Sequence, residues 1–420
     1  MNNLRKSIFV IPLLAALLLS ACSGLNVSTL SNSVGLTNLP VRAAGLTVSQ
    51  IQVGSSDLLS AYQGTLEQIY QKVNPSVVNV DVMQSLGSLN QGLPSNHPRL
   101  GNGNQSTQVQ TALGSGFIWD TQGHIVTNNH VIDGADSMTV TLADGTVATA
   151  TVVGRDPNSD LAVLKVDLPA SQLTPVELAD SSQVKVGQMA VAIGNPFGLS
   201  GTMTVGIISG LDRTLPVGLN NQNSQTAQVA PTYSIPDIIQ TDASINPGNS
   251  GGVLVDAQGQ LIGVTAAIES TTDANSGVGF VIPSRIVQMV VPELISNGKA
   301  DHPWMGISGT SLTPDLAKAS NLSATQRGVL VVRVIANSPA AKAGLAGGAR
   351  SAVVNGNSTP VGGDVITAID SHAVNTFEDM VSYLYENAKV DQTVTLTILH
   401  NGQEKTVEVT LGSLAASGNQ

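Results

Sequence analysis

The chain has 420 residues, of which 42% are hydrophobic and only 11% are charged, and its formal net charge is −11. The hydrophobic content suffices for a core and excludes a globally disordered chain. The acidic balance argues against nucleic acid as a partner, because no basic stripe is present to neutralise phosphates. A single Cys excludes a disulfide framework and a zinc site that needs two thiolates, and we expect no metal site and no cofactor. The 42 glycines favour a mainly β, turn-rich fold.

The first 22 residues are predicted to form a signal peptide. Arg5 and Lys6 precede an uncharged apolar run that is short for a membrane-spanning helix but has the length of a signal-peptide core. The run ends in Leu19-Ser20-Ala21-Cys22, which resembles a bacterial lipobox, and the only Cys of the chain stands there. We therefore expect an extracytoplasmic protein, tethered to a membrane by lipid on Cys22. A plain secretion signal is the alternative.

Residues 23–60 are rich in Ser, Asn, Thr and Gly and are predicted to be a flexible tether. A helix is expected from about residue 60 to residue 74, since Pro75 follows it. Short β-like runs separated by turn residues come next, up to residue 282, and this pattern favours barrels or sandwiches. Two polar insertions, residues 84–110 and about 213–233, interrupt it and read as regulatory or flexible loops.

A helix predicted over 283–296, with Asn297-Gly298 as its C-terminal cap, closes the first domain, which we place at residues 61–297. A second domain is predicted at 302–412, followed by a tail, 413–420. Its β-like runs cover residues 306–308, 328–334, 364–369, 394–399 and 406–411. Between them, Thr376 and Asp379 form a capping-box pattern that predicts the start of a helix.

Three short stretches of the first domain carry the residue types of nucleophilic catalysis. They are TNNHVI with His130, NSDLAVL with Asp160 and GNSGG with Ser250. A Ser hydroxyl needs a base to take its proton, an imidazole titrates near neutrality, and a carboxylate fixes the tautomer of that imidazole. The glycines around Ser250 let the amides of Gly248 and Ser250 turn toward a developing oxyanion.

Other residues compete for these roles. Asp156 is the nearest rival of Asp160, but it precedes Pro157 in a turn and lacks a following β-run. His124 begins a strand and reads as a surface residue, and His97, His302, His372 and His400 read as surface or loop residues. GNSGG also fits the nucleophile elbow of α/β-hydrolases, yet that fold requires a helix after the Ser and the order Ser, Asp, His. Here a β-hairpin follows, and His and Asp lie upstream.

Longer motifs show a family resemblance. The runs GSGFIWDTQGHIVTNNHVI, GRDPNSDLAVLKV and QTDASINPGNSGGVLVD are similar to those of HtrA-type trypsin-fold serine proteases, and PWMGI, GVLVVRVIANSPAAKAGL and GGDVITAID resemble a PDZ domain. The resemblance implies a chymotrypsin/trypsin-like double β-barrel followed by one PDZ domain. It also implies His130 as base, Asp160 as its orienting acid and Ser250 as nucleophile. An oxyanion hole that switches between ordered and collapsed forms, and trimers or larger assemblies, follow from it too.

The resemblance places Ile245 and Ile268 at the walls of the substrate pocket and Thr265 on a strand that pairs with extended substrate. An apolar pocket predicts cleavage after small or medium aliphatic residues. In the second domain, amides near Met305, Gly306 and Ile307 are expected to hold a peptide C-terminus, with Met380 and Leu384 lining the groove. Residues 346–362 are longer than the usual link there and are predicted to be a surface insertion.

Together these features predict a membrane-tethered serine endopeptidase that degrades unfolded or misfolded proteins. Extended backbone is available only in unfolded chains, and an apolar pocket selects side chains that are normally buried. A binding or chaperone protein that keeps both domains only as scaffolds is the alternative, and the complete set of His130, Asp160 and Ser250 argues against it.

Overall fold

The computed structural model describes residues 55–85, 109–196, 201–216, 234–266 and 277–414. The signal peptide with Cys22, the tether up to residue 54, most of the two polar insertions, Ile268 and the tail beyond residue 414 lie outside these ranges. No helix within them is long and apolar enough to cross a membrane.

The first half of the first domain is a closed six-stranded barrel with the order β1-β2-β3-β6-β5-β4. Helix α1 (Ser55–Val73) precedes it, begins earlier than predicted and ends before the Asn74–Ser76 turn that contains Pro75. Val78, Val80 and Val82 alternate along β1 and fill the barrel core, as expected for a strand with one buried face. The strands are β1 (Val77–Ser85), β2 (Val109–Ile118), β3 (His124–Asn128), β4 (Ser137–Thr141), β5 (Val147–Asp156) and β6 (Leu161–Val166), with the short helix α2 (Asn129–Ile132) after β3.

A second closed barrel follows, with the order β10-β11-β12-β9-β8-β7. Strand β9 was not predicted, because Pro236 and Asp237 disfavour a strand and it directly follows a polar insertion. The strands are β7 (Met189–Gly194), β8 (Thr202–Pro216), β9 (Ser234–Thr241), β10 (Val253–Val255), β11 (Leu261–Ala266) and β12 (Gly279–Pro283). The two barrels confirm the predicted double-barrel fold.

The core continues from one barrel to the other. Phe117 and Leu161 of the first barrel belong to the same buried cluster as Ile193 and Val253 of the second. Helix α3 (Ser284–Asn297) packs against β5 and β6 of the first barrel and against β11 and β12 of the second. It ends at Gly298 in a left-handed conformation (φ 73°), which confirms the predicted cap. The barrels are therefore fixed to each other along the seam between them.

The second domain is built on a sheet with the order β14-β15-β18-β20-β21, to which β19 adds. Thr376 and Asp379 make both hydrogen bonds of the predicted capping box at the start of α6 (Phe377–Asn387). The insertion 346–362 forms a separate hairpin, β16–β17, with Val353 exposed. The remaining elements are β13 (Pro303–Trp304), β14 (Ile307–Ser311), α4 (Pro314–Ala319), β15 (Val329–Val334), α5 (Pro339–Lys342), β16 (Arg350–Val354), β17 (Asn357–Val361), β18 (Val365–Ile369), β19 (His372–Ala373), β20 (Thr393–His400), β21 (Gln403–Thr410) and β22 (Gly412–Ser413).

The second domain packs on the first domain through α6. The Ser382 hydroxyl donates to Asp237 Oδ1 of β9 at 2.6 Å, and Arg285 of α3 bonds both Asp237 Oδ2, at 3.1 Å, and Glu386 of α6. Tyr385 is 5% exposed and joins the buried cluster that contains α3. The contact is thus a small core with a charged rim.

Candidate active site

The end of strand β3 positions His130. Asn128, the last residue of that strand, is extended and caps helix α2, in which His130 is the second residue. Its neighbours Val131 and Ile132 are buried in the barrel core, so the short helix is anchored by its apolar residues. The His130 side chain keeps 44% of its surface exposed and therefore remains open to the cleft.

Asp160 pairs with His130 in two ways. Its Oδ2 lies 2.7 Å from His130 Nδ1, and its Oδ1 accepts from the His130 backbone N–H at 2.9 Å. Asp160 has φ 53°, a left-handed conformation that a short polar side chain tolerates better than a branched one. The two bonds fix the imidazole with its proton on Nδ1, which leaves Nε2 as an acceptor on the cleft side.

The backbone of Asp160 is held as firmly as its carboxylate. Its carbonyl accepts from the Asn128 side-chain amide at 2.9 Å and from the Asn129 backbone N–H at 3.1 Å. Both donors come from the segment that carries His130. Asp160 and the segment that carries His130 therefore form one hydrogen-bonded unit inside the first barrel.

Burial lowers the pKa of His130, but its hydrogen bond to the Asp160 carboxylate and the negative charge of that carboxylate raise the pKa by more. The net result is a pKa above the usual value of 6.5. A more basic imidazole suits proton abstraction from a hydroxyl, provided that the ring is neutral at the working pH.

Ser250 lies on a turn of the second barrel that is pressed against the first. Its carbonyl accepts from Ser115 N–H of β2 at 2.8 Å, while Gly251 N–H donates to the Thr265 carbonyl of β11 at 2.9 Å. Gly251 has φ 82°, and a Cβ there would lie 2.1 Å from the Ser115 carbonyl and 2.4 Å from the Thr127 hydroxyl. Only glycine fits this approach, which brings the turn beside the end of β3, just ahead of His130.

The turn before Ser250 is also tied to Ser115. Gly248 has φ 91°, and its carbonyl accepts from the fully buried Ser115 hydroxyl at 2.6 Å. The Asn249 amide donates back into the turn, to the Asn246 carbonyl at 2.9 Å, so it does not face the cleft. That arrangement suits the predicted pair of oxyanion donors, Gly248 and Ser250.

The predicted pocket residues lie next to this turn where the structure describes them. Ile245 is 8% exposed and reaches the backbone of Gly279 on β12. Thr265 is buried, and its hydroxyl donates to the Asn249 carbonyl at 2.5 Å, so this side chain braces the turn. Ile268 lies outside the described residues.

One histidine prediction was wrong, and a second was incomplete. His124, expected on the surface, is 8% exposed and its Nδ1 lies 2.6 Å from Asp120 Oδ2. His302, expected on the surface or in a loop, does lie in the loop between α3 and β13, but it is 5% exposed and its Nε2 lies 2.7 Å from Asp156 Oδ2. Burying a histidine in this way depends on a partner far away in the sequence, which a local pattern does not reveal.

Sequence reasoning also assigned no role to Ser115, although it lies in the quoted motif GSGF. Its hydroxyl donates to the Gly248 carbonyl and accepts from the Asn195 N–H at 2.8 Å, so it links the turn that bears Ser250 to the residue that follows β7. A Ser between two glycines in a strand is a weak signal for such a contact, because the glycines leave room around it.

The predicted peptide-binding residues of the second domain lie together. Met305, Met380 and Leu384 are buried in one core cluster, and Ile307 packs against it. Gly306 has φ 84°, and its carbonyl accepts from Ile335 N–H at 2.9 Å. These apolar side chains thus pack together in the core of the second domain.

Comparison with known proteins gives both domains a family. A trypsin-like peptidase domain matches residues 114–264, and a PDZ domain matches residues 303–411. The chain is 36% identical over 422 residues to the periplasmic serine endoprotease DegP of Escherichia coli (strain K12), covering 94% of this chain and 81% of that protein. It is 43% identical over 304 residues to the chloroplastic Protease Do-like 1 of Arabidopsis thaliana, covering 72% of this chain and 64% of the plant protein.

Solved structures agree. The HtrA-type protease AlgW with a decapeptide is similar with a TM-score of 0.61 and 33% identity, covering 83% of this chain and 98% of that chain. The serine endoprotease from Yersinia pestis has a TM-score of 0.54 and 28% identity over 83% of this chain and 97% of its own. The chain belongs to the HtrA family and is a serine endopeptidase with one PDZ domain.

Proposed function

We propose that Ser250 is the nucleophile of this endopeptidase, His130 its general base and Asp160 the acid that orients the base. The Ser250 hydroxyl attacks the peptide carbonyl while His130 Nε2 takes its proton, and the same proton passes to the leaving amine. Water, activated by His130, then releases the acyl group. The observation that carries this assignment is the 2.7 Å contact of His130 Nδ1 with Asp160 Oδ2, beside the turn that bears Ser250.

The amides of Gly248 and Ser250 stabilise the oxyanion in this mechanism. A positive φ at Gly248 and the bond from Ser115 to its carbonyl support this assignment, because they orient the peptide unit. One such donor contributes about 3–4 kcal/mol to lowering the barrier.

The substrates are unfolded or misfolded proteins, cleaved after small or medium aliphatic residues. Ile245 supplies an apolar wall, and Ile268 is its predicted partner. Strand β11, which contains Thr265, is paired on both sides by β10 and β12, so we assign the pairing with extended substrate backbone to the chain that follows Ala266. A folded substrate offers no free backbone for such pairing. Such an enzyme serves protein quality control outside the cytoplasm, in agreement with the periplasmic location named for its DegP relatives.

The PDZ domain binds protein C-termini, and the protein assembles as a trimer or a larger oligomer. Gly306 at the start of β14 and the apolar floor of Met305, Ile307, Met380 and Leu384 fit a groove for a terminal apolar residue. The AlgW structures, which were solved with a decapeptide or a tripeptide, support peptide recognition in this family.

Cys22 carries the lipid that anchors the mature chain to a membrane. The lipobox-like residues before it support this role. Metabolic labelling with a radioactive or alkyne-tagged fatty acid tests it: the wild type is labelled, Cys22→Ala is not, and equal labelling of both would refute the anchor.

The central experiment compares cleavage of reduced, unfolded casein-like chains with cleavage of a native protein by the purified enzyme. We expect cleavage of the unfolded chains only, and labelling of Ser250 by a fluorophosphonate. Ser250→Ala is expected to fold but to lose kcat by about 10⁶-fold, since the nucleophile and base act as a unit. Equal cleavage of native and unfolded chains would refute the substrate class. Binding of unfolded chains without labelling or cleavage would favour the chaperone alternative.

A further inference from the structure

The turn that ends in Asp160 is built around the side chain of Asp156. Asp156 is 2% exposed; its Oδ1 accepts from Asn158 N–H at 3.1 Å and its Oδ2 accepts from Ser159 N–H at 3.2 Å. The chain therefore wraps around this carboxylate over the four residues before the left-handed Asp160. A change in the position of Asp156 moves the backbone of the acid that orients His130.

His302, which lies outside the first barrel, also forms a hydrogen bond with the Asp156 carboxylate. His302 lies between α3 and β13, 146 positions from Asp156, and its Nε2 is 2.7 Å from Asp156 Oδ2. The side chains of the pair are 6% and 2% exposed. A buried carboxylate is stable only when its oxygens are hydrogen-bonded, so loss of this donor strains the turn or draws it toward water.

The PDZ domain also contacts His302. The ring stacks on Tyr385 of α6, with centroids 4.9 Å apart and an angle of 25° between the planes. The His302 carbonyl accepts from Leu414 N–H, at the end of the PDZ domain, at 2.9 Å. One histidine thus contacts the PDZ helix and the turn of the catalytic acid at the same time.

The backbone next to Asp156 and His302 is closely packed. Arg155 N–H donates to the Gly298 carbonyl at 3.3 Å, and a Cβ on Gly154 would lie 2.5 Å from the Leu294 carbonyl. The end of β5 therefore lies directly on the end of α3, from which the chain continues to His302. Asp156 and His302 therefore meet where the backbone is tightly packed.

We propose that His302 is a positioning residue for the catalytic acid: through Asp156 it holds the turn that sets Asp160 against His130. It touches neither substrate nor the reacting atoms. The role rests on the proposed function of His130, Asp160 and Ser250. Its consequence is that the protease active site is complete only with the segment that leads into the PDZ domain in place.

The test uses the full-length chain with His302→Leu, which removes the donor, and His302→Gln, whose amide can reach the same carboxylate. For His302→Leu we expect kcat to fall about tenfold with KM nearly unchanged, as for a misaligned group that acts in the transition state. The acid limb of kcat/KM against pH moves to lower pH, because a displaced Asp160 supports the His130 imidazolium less. His302→Gln restores most of kcat and of the pH profile.

His124→Leu is the matched control, since it removes a His–Asp pair of 2.6 Å at the far end of β3. It is expected to leave kcat and the pH profile unchanged. Because His302→Leu loses stability, thermal melting and the rate of fluorophosphonate labelling of the folded fraction accompany the assays. In the double variant His302→Leu with Asp156→Asn, kcat is expected to be no lower than in the more damaged single variant, since both act through one contact.

The outcomes separate the two proposals. A wild-type enzyme that is not labelled at Ser250 refutes the catalytic assignment and the role of His302 with it. Normal labelling of the wild type, with His302→Leu matching His124→Leu in kcat and pH profile, overturns only the positioning role. A rise in KM alone, or effects of His302→Leu and Asp156→Asn that multiply in the double variant, overturns it as well.

Discussion

The two barrels hold their parts of the active site in different ways. His130 and Asp160 both belong to the first barrel, where four hydrogen bonds join the acid to residues 128–130. Ser250 belongs to the second barrel, yet its carbonyl and that of Gly248 are bonded by Ser115 of the first. His130 and Asp160 form a local unit, whereas Ser250, the proposed nucleophile, depends on contacts across the seam.

Because of this difference, variants can lower activity in two distinct ways. A variant on the first-barrel side changes the basicity and orientation of His130 while leaving the nucleophile turn in place. A variant at the seam moves Ser250 relative to an intact His–Asp pair. Rate and pH profile together distinguish the two cases, because only the first changes the pKa of the base.

Asp160→Asn gives the largest expected effect. An amide cannot stabilise the imidazolium and can favour the wrong tautomer, so kcat should fall about 10⁴-fold. Hydrolysis of a peptide substrate under saturating conditions measures it. Asp364→Asn is the matched control, because that carboxylate pairs with His400 at 2.6 Å in the PDZ domain. A similar loss in the control would show that the effect is on folding.

The pH profile tests the same pair. The base must be neutral, so kcat/KM of the wild type should decline as the pH falls through the pKa of His130, which lies above 6.5. The carboxylate of Asp160 is what raises this pKa, so the acid limb of the residual activity in Asp160→Asn should lie at lower pH than that of the wild type. An identical limb in both enzymes would mean that another group titrates.

The substitution Gly251→Ala tests the contact between the turn that bears Ser250 and the first barrel. The new Cβ would meet the Ser115 carbonyl and the Thr127 hydroxyl, so the nucleophile turn must move away from β3. A displacement of about 1 Å costs about 10²-fold in rate, and we expect a loss of that order in labelling of Ser250 by fluorophosphonate. The pH profile should keep its acid limb.

Gly145→Ala serves as the control for Gly251→Ala. Gly145 also has a positive φ, 87°, but a Cβ there meets nothing within 4 Å. Both variants therefore carry the same kind of backbone strain, and only one creates a clash. If both lose activity equally, strain and not the approach of the turn to the first barrel is responsible.

Much of this architecture could be predicted from the sequence, because barrels of short strands and a helix with a glycine cap leave local patterns. The helix α3 and the capping box at Thr376 appeared in this way. Strand β9 did not, since Pro236 and Asp237 disfavour a strand and its pairing with β8 and β12 is supplied by the tertiary fold.

The candidate active site, too, could be predicted only in part from local sequence patterns. Motifs and their order pointed to His130, Asp160 and Ser250, and the structure places His130 against Asp160. The supporting residues were missed, because their contacts join distant positions: Ser115 lies 133 positions from Gly248. A local pattern records which residue types are present, but a buried partner that far away becomes visible only in coordinates.

Ser115→Ala has the smallest expected effect and gives the most direct test of the seam. The variant leaves the Gly248 carbonyl and the Asn195 N–H without their buried hydroxyl partner. An unsatisfied buried group costs about 1–3 kcal/mol, and since the structure can relax we expect about a tenfold fall in kcat with the acid limb unchanged. Ser351→Ala, which removes an exposed hydroxyl pair in the β16–β17 hairpin, should leave kcat unaltered. Full activity of Ser115→Ala would show that the Ser115 hydroxyl is dispensable, and that the backbone bond from Ser115 N–H to the Ser250 carbonyl, together with Thr265, suffices to hold the nucleophile turn.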